Sequence, residues 1–215
     1  MVVEPGGLLW NVLLGGHILV GVIALVAGAG AILTAKGQRR HNQAGRYYVY
    51  SMAAVVVTAV PLAAITANWF LLAIAVFSGY LVFGGYQLVR RQRARLTAPT
   101  VVDYGGHGTM LSVGGAMIAA GGWQTLNGTG ELAPVLVVFG AIGAMLAVRE
   151  GYSLHRDQRT PWMQRHIAFM GGAYIATVTA TITVNLTMAP PLVRWLGPTA
   201  VGVPLIWLAI RKYTQ

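Results

Sequence analysis

The sequence contains no cysteine and few charged residues. Only 9% of its 215 residues are Asp, Glu, Lys or Arg, whereas about a quarter of the residues of a soluble domain are charged. Without cysteine, the chain has neither disulfides nor thiolate metal ligands. It also contains no Gly-rich phosphate loop, no dinucleotide-binding glycine pattern and no paired-histidine zinc motif. The low content of charged residues excludes an ordinary soluble domain. Because none of these motifs is present, no catalytic residue is predicted.

Hydrophobic residues make up 56% of the chain and form long runs. About 20 mostly apolar residues cross a bilayer. The stretches that satisfy this length are residues 8–35, 47–67, 69–89, 108–126, 132–148, 162–188 and 192–210. The start MVVEPGGLLW has no basic residue, so we expect the first run to stay as a membrane helix rather than act as a cleaved signal. The sequence predicts an all-α polytopic membrane protein in which residues 1–215 form a single seven-helix domain within the lipid bilayer.

Basic residues outnumber acidic ones by 15 to 5. In a soluble protein this excess would suggest nucleic acid, but here the charges lie in short gaps between apolar runs. Such gaps indicate membrane topology and attraction to anionic lipid headgroups, and no nucleic-acid partner is expected. With seven spans, one side of the membrane receives every basic residue except Arg194, namely Lys36, Arg39, Arg40, Arg46, Arg90, Arg91, Arg93, Arg95, Arg149, Arg156, Arg159, Arg165, Arg211 and Lys212.

This alternation predicts an external N-terminus and a cytoplasmic C-terminus, because cytoplasmic loops carry the excess of Lys and Arg. The 13 arginines against 2 lysines, with abundant Ala, Gly and Val, are typical of a GC-rich prokaryotic genome. We therefore expect a multi-pass protein of the inner (cytoplasmic) membrane.

The 28 glycines include pairs in several of the predicted helices. Small residues let membrane helices approach closely, and close packing is the simpler interpretation. The alternative is room for a flat cofactor or a substrate path. The pairs are Gly15-Gly16, Gly84-Gly85, Gly114-Gly115, Gly121-Gly122 and Gly171-Gly172.

Four of the five histidines gather at the predicted cytoplasmic face. Two histidines at similar depth on facing helices can ligate haem b, with arginines near the propionates. His107 and His166 meet the depth condition, and the arginines are Arg40, Arg46 and Arg165. The alternative cofactor is a divalent metal bound by histidines of the same face, with a carboxylate as further ligand or support. This set comprises His41, His107, His155 and His166, with Asp103 or Asp157.

A polar stripe follows His166 along the sixth helix. Steps of three or four residues give Met170, Tyr174, Thr177, Thr181 and Asn185, which share an arc of ~100°. His17 lies at a depth between those of Thr177 and Thr181, about 13 Å into the first helix. This face predicts a contact between His17 and these threonines. The contact is a packing hydrogen bond, or His17 exchanges a proton or binds substrate in a polar cavity, or His17 is a cofactor ligand.

The segment HNQAGRYY, residues 41–48, follows a first helix that contains His17. It is similar to the His-x-x-x-Gly-Arg-x-Tyr signature of an uncharacterised family of bacterial multi-pass membrane proteins of unknown function. The second signature of that family, a His before Trp-Met-x-Arg, resembles His155 with the segment WMQR at residues 162–165; His166 is the alternative. The resemblance implies seven membrane helices and no activity.

Three classes of function fit these observations. The first is a haem- or metal-binding redox protein with histidine ligands near the cytoplasmic face. The second is a proton-coupled transporter or sensor of small molecules, with a polar cavity. The third is a non-catalytic subunit or assembly factor that packs on a membrane-protein partner or on its own copies.

Overall fold

A computed structural model describes residues 5–96, 98–155 and 161–214, apart from the side chains of His155 and Thr214. Seven α-helices account for nearly all of these residues. They are α1 (Leu8–Leu33), α2 (Arg39–Ile65), α3 (Trp69–Ala94), α4 (Val101–Leu126), α5 (Ala133–His155), α6 (Trp162–Asn185) and α7 (Pro191–Thr214). The all-α prediction is confirmed, with one helix for each predicted span.

The helices differ from the predicted spans mainly at their basic ends. α2 begins at Arg39 rather than at residue 47, and α3 continues to Ala94 rather than ending at residue 89. Arg and Gln are good helix formers, so a helix can continue beyond the apolar segment that lies in the lipid. Hydropathy therefore located the apolar segments but not the helix ends.

Six of the seven helices are long and apolar enough to cross a membrane, and α4 is the one that is not. Within α4, seven glycines and His107 dilute the aliphatic side chains. The structure thus supports a multi-pass membrane protein with six such helices among the described residues. The prediction that α4 also spans, at residues 108–126, stays a prediction.

The described residues form two compact units, one ending at Gly79 and the other beginning at Tyr80. In the first unit, α1 packs along α2. Gly30 of α1 approaches Ala44 of α2, so that a Cβ on Gly30 would lie 3.6 Å from the Ala44 Cβ. Much of the outer surface of α1 is aliphatic and exposed, including Val22 at 54% and Val26 at 67%, as suits a lipid-facing helix.

In the second unit, α4 packs along α5 and α6 packs along α7. Glycines make the closest approaches. A Cβ on Gly114 would lie 2.9 Å from the Gly140 carbonyl oxygen, and one on Gly202 would lie 2.3 Å from the Ile175 side chain. Such contacts bring backbones together where lipid supplies no hydrophobic drive for helix association.

The predicted close-packing role of the glycine pairs holds for one or both members of four pairs. Gly84, Gly85, Gly114, Gly121 and Gly171 each leave too little room for a Cβ. Gly15 and Gly16 have no atom within 4 Å of an added Cβ among the described residues, so nothing in the described structure requires glycine there.

Tight turns join α2 to α3 and α4 to α5. Between α2 and α3, Ala67 has a φ of 49°, and the Asn68 side-chain oxygen accepts a hydrogen bond from the Leu71 N–H at 3.0 Å. Between α4 and α5, Gly128 and Gly130 have φ values of 65° and 82°. Glycine adopts these left-handed conformations without a Cβ penalty.

Candidate functional site

An ion pair joins α3 to the start of α4. Thr100 and Asp103 form a capping box, in which each side chain accepts from the backbone N–H of the other residue, as the Thr-x-x-acid pattern favours. Asp103 is only 2% exposed. Its carboxylate also accepts from Arg91 Nη1 at 2.6 Å and from Gln87 Nε2 at 3.2 Å. Four donors therefore compensate a buried negative charge.

A second buried ion pair joins α5 to α6. Arg165 donates from Nε to Glu150 Oε1 at 2.9 Å and from Nη2 to Glu150 Oε2. The two side chains are 15% and 5% exposed, respectively. A two-point guanidinium–carboxylate pair fixes both position and orientation. This contact holds the first turn of α6 against the last part of α5.

Tyr80 of α3 and His107 of α4 form the central hydrogen bond of the site. The Tyr80 hydroxyl lies 3.0 Å from His107 Nδ1, and Tyr80 is 5% exposed. No other hydrogen bond of either side chain is found among the described residues. A buried phenol requires an acceptor, so we assign Tyr80 as the donor. His107 is then the neutral tautomer with its proton on Nε2.

His107 lies within the electrostatic reach of both ion pairs. The charges of Glu150, Asp103, Arg165 and Arg91 all act on its ring, and those of Glu150 and Arg165 act on the Tyr80 hydroxyl. We call these groups the polar cluster; its members are Tyr80, Gln87, Arg91, Asp103, His107, Glu150 and Arg165. Ionisable groups among membrane helices are costly and usually mark a functional site.

Aromatic rings pack beside both members of the Tyr80–His107 pair. Phe169 meets the Tyr80 ring edge-on, with centroids 5.6 Å apart. Phe83 lies 6.3 Å from the His107 ring. Gly106 makes this possible, since a Cβ there would lie 2.2 Å from the Phe83 ring. Tyr80 is therefore packed in apolar surroundings, whereas His107 is partly exposed.

His166 faces a different part of α3. Its Nδ1 lies 3.1 Å from the Gly85 carbonyl oxygen. A carbonyl only accepts, so Nδ1 carries a proton. Gly85 is five residues beyond Tyr80, which is ~7.5 Å along the helix and ~140° around it. His107 and His166 are therefore held by α3 at separate levels and on separate sides.

The predicted haem arginines are divided between the two units. Arg165 is committed to Glu150, whereas Arg40 and Arg46 are exposed residues of α2. The described contacts do not directly support a haem bound between His107 and His166. This haem site stays a prediction.

The described residues contain no group of three or more His, Asp and Glu side chains that could hold a metal ion. His41 uses Nδ1 to donate to the Ala31 carbonyl at 2.9 Å, which ties α2 to the end of α1. The His155 side chain and Asp157 lie outside the described residues. A metal at His41 and His155 therefore stays a prediction.

The polar stripe of α6 bonds largely to its own helix. Thr177 donates to the Ala173 carbonyl at 3.0 Å and Thr181 to the Thr177 carbonyl at 3.1 Å. Asn185 is exposed and donates to the Thr181 carbonyl at 2.8 Å. Tyr174 is half-buried. Threonine readily bonds to its own helix backbone, so these contacts by themselves do not mark a cavity.

His17 is bonded within the first unit. Its Nδ1 lies 2.8 Å from the Thr58 hydroxyl, which itself donates to the Ala54 carbonyl at 2.7 Å. Because a hydroxyl has one proton, Thr58 accepts from His17 Nδ1–H. This bond joins α1 to α2. The predicted contact of His17 with Thr177 or Thr181 stays a prediction.

Sequence reasoning missed most of the polar cluster. It named His107, Asp103 and Arg165, but Arg91 only as a topology marker, and it did not select Tyr80, Gln87 or Glu150. One signal was available for Glu150, which is one of five acidic residues and lies two positions beyond the apolar run that ends at residue 148. An acid at such a position needs a buried partner.

No family of known proteins, no curated protein and no solved structure matches the chain.

Proposed function

We propose that this protein is a transporter that moves protons across its membrane, in which the Tyr80–His107 pair exchanges the proton. The observation that carries this proposal is the 3.0 Å hydrogen bond between Tyr80 Oη and His107 Nδ1. The Arg91–Asp103 and Arg165–Glu150 ion pairs both act electrostatically on His107, in a helix bundle suited to a membrane. Histidine is the side chain whose ordinary pKa is close to neutral pH, so it suits reversible proton exchange.

The pair can pass a proton and leave both Tyr80 and His107 neutral at the end of the transfer. A proton arriving at the Tyr80 oxygen releases the original hydroxyl proton to His107 Nδ1. The imidazolium then loses its Nε2 proton on the other side, which leaves a neutral ring with its proton on Nδ1. Burial and the charges of Arg165 and Arg91 oppose the transient positive charge, whereas the carboxylates of Glu150 and Asp103 favour it. Tautomer exchange of the ring restores the starting state.

Proton flux into liposomes tests this proposal. Purified protein is reconstituted with an internal pH-sensitive dye, and a potassium diffusion potential drives protons inward. We expect His107→Gln and Tyr80→Phe to lower the flux at least tenfold, about the size of a general acid–base contribution. Tyr86→Phe, an exposed tyrosine of the same helix, and His41→Gln are the matched controls. Wild-type flux equal to that of empty liposomes contradicts the proposal.

We also propose that all seven helices span the inner membrane of a bacterium, with the N-terminus outside and the C-terminus in the cytoplasm. The alternation of basic residues along the sequence supports this topology. The Arg91–Asp103 ion pair removes one objection to α4 as a span, because the acid near its start is neutralised by α3.

A second candidate function is haem b binding at His166. The bond from Nδ1–H to the Gly85 carbonyl resembles the support that orients metal-ligating histidines, in which one ring nitrogen donates and the other carries the lone pair. An absorption spectrum of the purified protein, oxidised and dithionite-reduced, tests it. A Soret band that His166→Ala abolishes and His41→Ala retains supports His166 as the ligand. A spectrum without the band excludes haem.

A further inference from the structure

We propose that the groove between α1 and α2 binds one anionic phospholipid, with an acyl chain along the helices and the headgroup phosphate at Arg40. The groove has a volume of about 630 Å³, within the range of small-molecule sites. All of its walls belong to the first unit. This proposal is independent of proton exchange at His107.

The groove has polar lining residues at one end and apolar lining residues along the rest of its length. Thr34, Arg40 and Gln43 lie where α1 ends and α2 begins. The apolar part of the α1 wall runs from Val22 to Gly30, a length of ~12 Å at 1.5 Å per residue. An amphiphile with one charged end and a long apolar body fits this division.

The walls are shaped by small side chains on both helices. Ala27 and Gly30 of α1 and Ala44 of α2 line the groove, together with Tyr47, which is 67% exposed. A tyrosine at this level suits the membrane interface, where its ring contacts chains and its hydroxyl contacts headgroups. The small residues leave space that larger aliphatic side chains would fill.

Charge complementarity determines the class of lipid. Between residues 5 and 102 the chain contains no Asp or Glu, whereas Lys36, Arg39, Arg40 and Arg46 lie at or near the α1–α2 turn. The described part of the first unit, residues 5–79, therefore offers no acidic side chain to these cations. Lys36 caps the end of α1 through the Ala31 and Ile32 carbonyls, but Arg40 lines the groove and is exposed. A phosphate at this level supplies the missing negative charge.

Arg39 offers a matched control for Arg40. The two residues are adjacent, exposed and equally charged, but only Arg40 lines the groove. General attraction to an anionic membrane depends on both charges to a similar degree. A bound lipid in the groove depends on Arg40 in particular.

Native mass spectrometry of the full-length protein with added phosphatidylglycerol or phosphatidylcholine tests the site. We expect one phosphatidylglycerol to be retained in preference to phosphatidylcholine. Arg40→Gln should weaken its binding about fivefold or more, as loss of one lipid-facing cation implies, and Arg39→Gln less than twofold. Equal retention of both lipids, or equal effects of the two substitutions, would overturn the proposal.

Two further arms separate the acyl chain from the headgroup. Ala27→Phe places a ring in the apolar part of the groove and should weaken binding at least fivefold; unchanged binding would refute the acyl-chain position. Should Ala27→Phe fail to elute as a folded protein, the second arm is decisive. Glycerol phosphate in large excess should not displace the lipid, because it lacks the chain. Displacement by glycerol phosphate would show that the groove does not hold an acyl chain.

Discussion

Arg165 donates hydrogen bonds to both carboxylate oxygens of Glu150, and this contact joins the beginning of α6 to the end of α5. Glu150 is only 4% exposed. A two-point pair between buried charges is sensitive to loss of either partner, because the remaining charge has no compensation. The fold of the second unit and the electrostatics around His107 therefore depend on the same two residues.

Glu150→Gln should lower the free energy of unfolding by about 3 kcal/mol, since it leaves Arg165 buried without a counter-charge. Denaturant titration in detergent, followed by tryptophan fluorescence, measures the change. Glu131→Gln makes the same chemical change at an exposed turn position and should cost less than about 0.5 kcal/mol. The double variant Glu150→Gln/Arg165→Gln should be more stable than Glu150→Gln alone. Equal stability of the Glu150→Gln and Glu131→Gln variants would refute a structural role for this pair.

Gly84→Ala should destabilise the protein by about 1–3 kcal/mol, the usual cost of an overfilled core. The added Cβ would lie 2.3 Å from the ring of Phe169, which is 1% exposed. The shift should also disturb the Tyr80 ring that Phe169 contacts. Gly15→Ala is the control, because no described atom lies within 4 Å of its added Cβ. That substitution should leave stability unchanged or raise it slightly, since Ala is a better helix former.

Thr58→Val should cost about 1 kcal/mol, because it removes the acceptor of His17 Nδ1–H in a membrane helix pair. Thr183→Val is the control, since the Thr183 hydroxyl donates to the Ala180 carbonyl of its own helix. Thermal unfolding of both variants in one detergent gives the comparison. If Thr177→Val interacts with His17→Ala in a double-mutant cycle and Thr58→Val does not, the partner assigned to His17 is wrong.

A single cysteine at position 129 should react with a membrane-impermeant maleimide on intact cells, whereas one at position 92 should react only after permeabilisation. The predicted topology places the α4–α5 turn outside and the end of α3 in the cytoplasm. The native chain has no cysteine, so each label reports one site, and both Thr129 and Gln92 are exposed. Equal reactivity of both positions on intact cells would contradict seven spans with an external N-terminus.

Much of the architecture followed from the sequence alone. Each helix corresponds to an apolar run of the sequence. A bilayer acts on every residue of a span, so local composition decides where helices form. The helix ends did not follow from hydropathy, because α2 begins at Arg39 and α3 continues to Ala94, both beyond the apolar segments.

The candidate site depended on the tertiary structure. Tyr80 and His107 are separated by 27 positions, and Glu150 and Arg165 by 15; no periodicity within one helix relates the members of either pair. In the polar stripe of α6, by contrast, a pattern visible in the sequence did not predict contacts between helices. Its threonines share a face by sequence, but the hydroxyls of Thr177 and Thr181 bond to their own helix.

The sequence by itself determined that the chain is an all-α protein with long apolar helices and an asymmetric distribution of basic residues, because these properties depend on composition along the chain. Only the tertiary structure decided which polar groups meet. Partner choice depends on how closely helices approach, and side chains such as Phe83 and Phe169 can pack beside Gly106 and Gly84 only because those positions lack a Cβ. That packing accompanies the contact of Tyr80 with His107, which no local pattern specifies.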